Sequence, residues 1–119
     1  MAITPTAWMV VHNPTSATQA TITKAAPIAT KRHVITHICA SLATTTATTA
    51  VLHVYLRDGA TGAGTIVWSA VLSVPTNGFA FVAATLEIPL TPGTAATFEF
   101  DGAGSSATFE SVTMCGRTE

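Results

Sequence analysis

Turn residues recur roughly every ten positions along this chain, and the segments between them alternate apolar with polar side chains. The stretch from Arg57 to Gly78 shows the pattern most clearly. A glycine-punctuated turn, Asp58-Gly59-Ala60-Thr61-Gly62-Ala63-Gly64, feeds an alternating segment around Trp68, and Pro75-Thr76-Asn77-Gly78 closes it. Successive side chains of a strand point to opposite sheet faces, so a period of two is the signature of a half-buried strand. No segment carries a convincing helical period. The chain is therefore expected to be all-β: an antiparallel β-sandwich, jelly-roll-like, of about 7–8 strands with no substantial helix.

The strands can be placed. Ala7 to His12 lies between Pro5 and Pro14 and reads as an edge strand or extended arm, because proline cannot donate to a ladder. Residues 1–14 are assigned to this arm and 15–119 to a single sandwich domain, as the length suits one core. Thr18 to Lys24 is a weak strand. Lys31 to Leu42 is a strong one, with Val34, Thr36, Ile38, Ala40 and Leu42 on one face and His33, Ile35, His37, Cys39 and Ser41 on the other. The threonine-rich run 44–49 reads as a connection. Ala50 to Asp58, Thr65 to Ser73, Phe79 to Ile88, Thr97 to Asp101 and Ala107 to Cys115 complete the set. On Thr65 to Ser73, Ile66, Trp68, Ala70 and Leu72 are expected to share a side. Asn77-Gly78 is a hairpin signal, since that dipeptide favours positive φ. The pattern does not separate a jelly roll from an immunoglobulin-like order.

Charged residues are only 9% of the chain, against about 25% in ordinary soluble domains. Threonine and alanine together exceed a third of it. A coat so poor in charge suits a protein packed against neighbours, although a codon bias toward Ala, Thr and Gly would give the same composition. Lys24, Lys31, Arg32 and Arg57 give the first 57 residues +4, while 58–119 hold six acids against Arg117, giving −5. If folding kept the halves apart, opposite faces would result. No basic patch argues for nucleic acid, and no apolar run approaches the roughly 18 residues of a membrane span. The amino terminus lacks a signal-peptide pattern, and Cys39 and Cys115 lack metal spacing, so cytosolic synthesis with free thiols is expected.

Catalytic readings are weak. His33 and His37 lie four residues apart, about 13 Å on a strand, too far to share one metal ion. No acid in the first half could complete a triad with Cys39 and His37, and the Gly-x-Ser-x-Gly elbow is absent. Glu99 with Asp101 or Glu110 is the remaining carboxylate pair, more simply explained as charges facing out from an edge strand. No catalytic residue, metal ligand or cofactor is assigned. The candidates for contact are Trp8, Met9 and Val10 on the arm, His33 and His37, and Phe79 and Phe81, which lie opposite the Ala80/Val82/Leu86 face of their strand.

The motif Arg57-Asp58-Gly59-Ala60-Thr61-Gly62-Ala63-Gly64-Thr65 followed by Trp68-Ser69, with Glu110-Ser111-Val112-Thr113 near the end, resembles small tailed-bacteriophage structural proteins of the decoration (cement) or head-fibre kind. The resemblance implies a sandwich that oligomerises, often as a trimer, on a capsid surface. Its expected partner is the major capsid protein, and its location the virion, after synthesis in the bacterial host cytoplasm. The arm would add a strand to a neighbour. The alternative is a receptor- or carbohydrate-binding knob of a phage tail or head fibre, using loops 57–64 and 102–106.

Overall fold

The structure, a computed structural model, describes residues 6–45, 49–105 and 107–119. It contains eight strands: β1 (Thr6–His12), β2 (Thr21–Lys24), β3 (His33–Thr44), β4 (Ala50–Asp58), β5 (Thr65–Val74), β6 (Phe79–Pro89), β7 (Ala96–Phe100) and β8 (Thr108–Thr118). They form two four-stranded sheets, ordered β1-β8-β3-β6 in sheet A and β2-β7-β4-β5 in sheet B. All pairings are antiparallel. This strand order is that of a jelly roll, in which the chain keeps crossing between sheets. The sequence pattern left that order open. It is settled by which strands pair.

Each sheet turns one face inward. Phe98 and Phe100 of β7, Leu42 of β3, Val54 and Leu56 of β4, and Val112 and Met114 of β8 are fully buried between the sheets. Burying side chains of this size stabilises by about 1.5–3 kcal/mol each. The inner face of sheet A also takes Ala40 and the half-buried Ala80, Val82 and Ala84. Alternate small side chains there leave room for the phenylalanines of β7.

Three local expectations are corrected. The register of β3 shifts between Ile35 and His37, so one extra residue flips the face assignment. Ile35 is therefore fully buried, although simple alternation places it opposite Val34 and Ile38. A second shift, between Leu56 and Arg57 of β4, inserts Val67 between Ile66 and Trp68. Ile66 is exposed while Trp68 packs on the core, so they do not share a side. Finally, Pro75-Thr76-Asn77-Gly78 does not close a hairpin. Asn77 does take φ of 52°. Yet β5 lies in sheet B and β6 in sheet A, so the turn is an arch between sheets. Thr44 holds it, donating through Oγ1 to Pro75 O at 2.8 Å and accepting from Gly78 N–H at 3.0 Å. The arch carries the chain from one sheet to the other, so the inner faces of β5 and β6 oppose each other across the core.

The predicted arm is an edge strand. All seven residues of β1 pair with β8, and the Trp8 indole N–H donates to Thr118 Oγ1 at 3.1 Å. Thr6–His12 is thus held in its own sheet rather than extended as a free arm that could be inserted into a neighbour; residues 1–5 lie outside the described residues. The connection expected over 44–49 starts later, since Thr44 still belongs to β3, and 46–48 lie outside the described residues.

The charge asymmetry between the halves also dissolves. Both sheets interleave strands from the two halves, and Arg57–Glu99 (2.9 Å) and Arg32–Glu119 (3.4 Å) join them. A different polarity replaces it. All five Lys and Arg residues lie at the end of the sandwich where β2, β4, β6 and β8 finish. There Arg117 forks onto both Glu87 oxygens at 2.8 and 2.9 Å and donates to Glu119 at 3.1 Å. These bonds hold the Glu87 and Glu119 carboxyls below their ordinary range.

Candidate functional site

The outer face of sheet A is built by the odd-numbered residues of β1, β3 (after its bulge), β6 and β8. Register stacks them in rows: Phe109–Ala43–Phe79, Ser111–Ser41–Phe81, Thr113–Cys39–Ala83 and Cys115–His37–Thr85. Met9 and Val11 of β1 extend the last two rows, beside Cys115 and Thr113. None of the positions in these rows is an acid, a lysine or an arginine; the charges of this face, Glu87 and Arg117, lie beyond the last row and pair with each other. Phe79 and Phe81 are each 63% exposed, and Met9 is 65% exposed. Val11 and Phe109 are exposed as well.

This face has relief. The Phe79 and Phe81 rings lie side by side, centroids 5.8 Å apart, and stand above the sheet near its β6 edge. Next to them the side chains are small, and a hollow of about 380 Å³ opens between β3, β6 and β8, lined chiefly by Cys39, Ala83, Thr85, Thr113 and Cys115. Both thiols are free. Cys39 pairs with Thr113 and Cys115 with His37, so the cysteines sit diagonally on adjacent strands. Exposed apolar groups gathered on one face, rather than scattered singly, mark an interaction surface.

The outer face of sheet B is the contrary case. Glu99 of β7 points outward there but is only 2% exposed. The loop 59–64 folds over it: Gly62 N–H donates to Glu99 Oε2 at 3.0 Å, Arg57 Nε to the same oxygen at 2.9 Å, and Thr21 Oγ1 to Oε1 at 3.0 Å. Arg57 also donates to Gly64 O at 3.1 Å and lies 5.1 Å over the Tyr55 ring. Gly62 can present its N–H because it takes φ of 71°, a conformation side-chain-bearing residues rarely adopt. This carboxylate is a structural anchor whose two oxygens both accept hydrogen bonds. Its strand is central, between β2 and β4, so the edge-strand explanation of Glu99 is corrected.

Glu110 of β8 points the other way, into the sandwich. It is buried and accepts Ala20 N–H at 2.9 Å and Gly104 N–H at 3.1 Å. Burial pushes its carboxyl up, and the two N–H donors only partly oppose this. Asp101 meets His53 at 3.3 Å on the surface. The three acids thus serve three separate structural contacts. Among the described residues, no group of three His, Cys, Asp or Glu side chains gathers as a metal site.

The remaining candidates divide. Met9, His37, Phe79 and Phe81 lie on the open face of sheet A. His33 does not: it is buried inside the domain, with Nδ1 2.9 Å from Thr118 Oγ1 and Nε2 2.8 Å from Ala25 O. The β3 bulge separates its side from that of His37. Trp8 and Val10 point inward and pack on the core, Trp8 edge-on to His33 at 5.4 Å with Lys24 above it. Phe109, Val11 and the two cysteines of the hollow were missed. Their signal was present, since Phe109 has the parity opposite to Val112 and Met114.

No protein-family model matches the chain, and no curated protein does. Among solved structures, the chain is similar to a protein of the study "Bacillus endospore appendages form a novel family of disulfide-linked pili", at 17% identity over 97% of this chain and 90% of that one, with a TM-score of 0.40. It is also similar to the Tobacco streak virus coat protein, at 11% identity over 93% and 85%, TM-score 0.42. A Cowpea mosaic virus empty particle gives 12% identity over 99% and 84%, TM-score 0.35. At such values these likenesses assign no function, and the functional reading rests on the surfaces of the chain itself.

Proposed function

We propose that this chain is a non-enzymatic structural protein of a tailed-phage head, a decoration (cement) protein that binds the major capsid protein and stabilises the shell from the virion surface. The observation that carries this reading is the outer face of sheet A: four strands wide, with its fixed charges confined to the Glu87–Arg117 pair at one end, and studded with exposed Phe79, Phe81, Phe109, Met9 and Val11. A free surface of this kind is unfavourable in water, and burying it against a partner relieves the exposure. The acids that might serve a reaction are instead engaged in holding loops. Repetition of one modest contact at every lattice position gives high avidity.

The test mixes the purified chain with shells lacking a decoration protein. Co-sedimentation and a raised shell melting temperature are expected. Phe81→Lys, which places an ammonium beside Phe79 at the β6 side of the face, is expected to abolish both while leaving the circular dichroism spectrum unchanged. Wild-type protein that ignores the shells sinks the proposal.

One observation favours the carbohydrate-binding knob as a second reading. His53 and Tyr55 stack on the outer face of sheet B, centroids 5.9 Å apart and 19° from parallel, beside loop 59–64. Such a platform suits sugar rings, and a glycan array separates the two readings. Self-association belongs to both. The resemblance implies three copies, whereas the edge strand described next favours two.

A further inference from the structure

β5 is the exposed edge of sheet B, paired only with β4. Edges of sheets are normally blunted by short length, charge, proline or cover. β2 has four residues and β6 ends in Glu87 and Pro89. β5 runs ten residues, Thr65–Val74, with no charge and no proline. Its bulge sits at the start, leaving Trp68–Val74 in regular register with β4.

The direction of its free backbone groups follows from β4. His53 accepts Asp101 N–H at 2.9 Å through its carbonyl and donates its N–H to Asp101 Oδ1 at 3.2 Å. Both backbone groups of His53 therefore point away from β5. Its partner across the ladder is Val71. In an antiparallel pair the two residues either both bond each other or both face away. Val71 thus turns its N–H and C=O to the open edge, and Ser69 and Ser73, two residues either side, do the same.

The sequence around Val71 is close to palindromic: Trp68-Ser69-Ala70-Val71-Leu72-Ser73-Val74. Pairing the strand antiparallel with itself, centred on Val71, sets Val71 opposite Val71 and Ser69 opposite Ser73 on the outer face. On the inner face it sets Ala70 opposite Leu72, small against large, and Trp68 opposite Val74. Each pair among Ser69, Val71 and Ser73 lies in the bonding register and exchanges two hydrogen bonds.

We propose that β5 is a self-pairing edge, joining two copies of this chain about a two-fold axis through Val71 into one continuous eight-stranded sheet. The inference rests on reading the chain as an assembling structural protein. A second copy fits where an unrelated strand need not, because one register satisfies the outward backbone groups, the matched outer row and the small-to-large inner row together. An isologous contact also closes at two copies. The regular part of β5 spans roughly 23 Å, and a contact along one strand edge is small beside a standard specific interface. Association is accordingly expected to be weak and to depend on concentration.

The test is sedimentation velocity on the full chain from about 1 to 500 µM, with amide exchange read by nuclear magnetic resonance at both extremes. A mass rising from one chain to two is expected, with the Ser69, Val71 and Ser73 amides protected only at high concentration. Val71 is 54% exposed, so Val71→Lys is expected to keep the fold. It faces two ammoniums across the axis and is expected to weaken the dimer tenfold or more. Val71→Pro removes the central N–H and serves as the second variant. A single-chain mass throughout, a three-chain mass, or a dimer indifferent to both variants overturns the proposal. Phe81→Lys separates the two readings: it removes shell binding and leaves the β5 dimer intact.

Discussion

The two outer faces of this sandwich solve the same problem differently. Sheet B carries a carboxylate, Glu99, and the chain covers it with its own loop, 59–64, tied by Arg57, Thr21 and Gly62. Sheet A carries phenylalanine, methionine and small side chains, and among the described residues Met9, Val11, Phe79, Phe81 and Phe109 stay exposed there. A polar group buried by its own chain needs bonding partners, so it recruits them locally. An apolar face needs only to leave water, and any complementary surface serves. The difference teaches that the covered face stabilises the monomer, while the bare one is the surface proposed to meet a partner.

Four substitutions break or sharpen that contrast. The largest effect is expected at Glu99. Glu99→Gln leaves Arg57, largely buried, without its countercharge, and should cost about 3 kcal/mol in denaturant unfolding. A loss below a few tenths would show that loop 59–64 is not held by this acid. Glu110→Gln comes next, because an amide offers one acceptor where two N–H groups need one each; about 1–3 kcal/mol is expected.

Glu110 also predicts a pH dependence. Its folded carboxyl titrates above its ordinary value, so the folded state binds the proton more tightly than the unfolded chain. This contribution to stability is full below the ordinary value of 4.5 and is lost as pH rises through the folded value. The acid-side decline in stability should therefore steepen in Glu110→Gln, which lacks this opposing gain. An unchanged profile would mean that Glu110 titrates normally.

On sheet A the expectations reverse. Phe81→Lys should change stability by no more than about 0.5 kcal/mol, while shell binding falls by more than tenfold. A large loss of stability would show that the phenylalanine pair supports the fold itself. The smallest effect is expected for Cys39→Ser, about 0.5 kcal/mol or less. Cys39 is exposed, so a thiol reagent should label it readily in the free chain and slowly on the shell. Equal labelling in both would place the docking surface elsewhere.

How far the sequence reached can be judged from particular residues. The alternation of Phe79 to Ile88 set Phe79 and Phe81 opposite Ala80, Val82 and Leu86, and the structure turns the phenylalanines outward. The same rule failed on β3, because a bulge at Thr36 reverses parity and buries Ile35. A bulge is imposed by the partner strands β6 and β8, and neighbours distant in sequence leave no local mark. His33 was misjudged for that reason. Its partners Thr118 and Ala25 become visible only when β8 and the end of β2 converge on it. Asn77-Gly78 was rightly read as a turn, but whether a turn joins strands of one sheet or arches between two depends on where the apolar faces must go.

Alternation, turn residues and the scarcity of charge determined, from the sequence alone, an all-β chain of short strands with apolar groups on both faces of some. Those properties are local, set by two-residue periodicity and backbone sterics. Strand order, the burial of Glu99, the bare face of sheet A and the open edge at β5 were decided only by tertiary structure. Each depends on which distant segments come to lie beside one another, and packing of the whole core makes that choice.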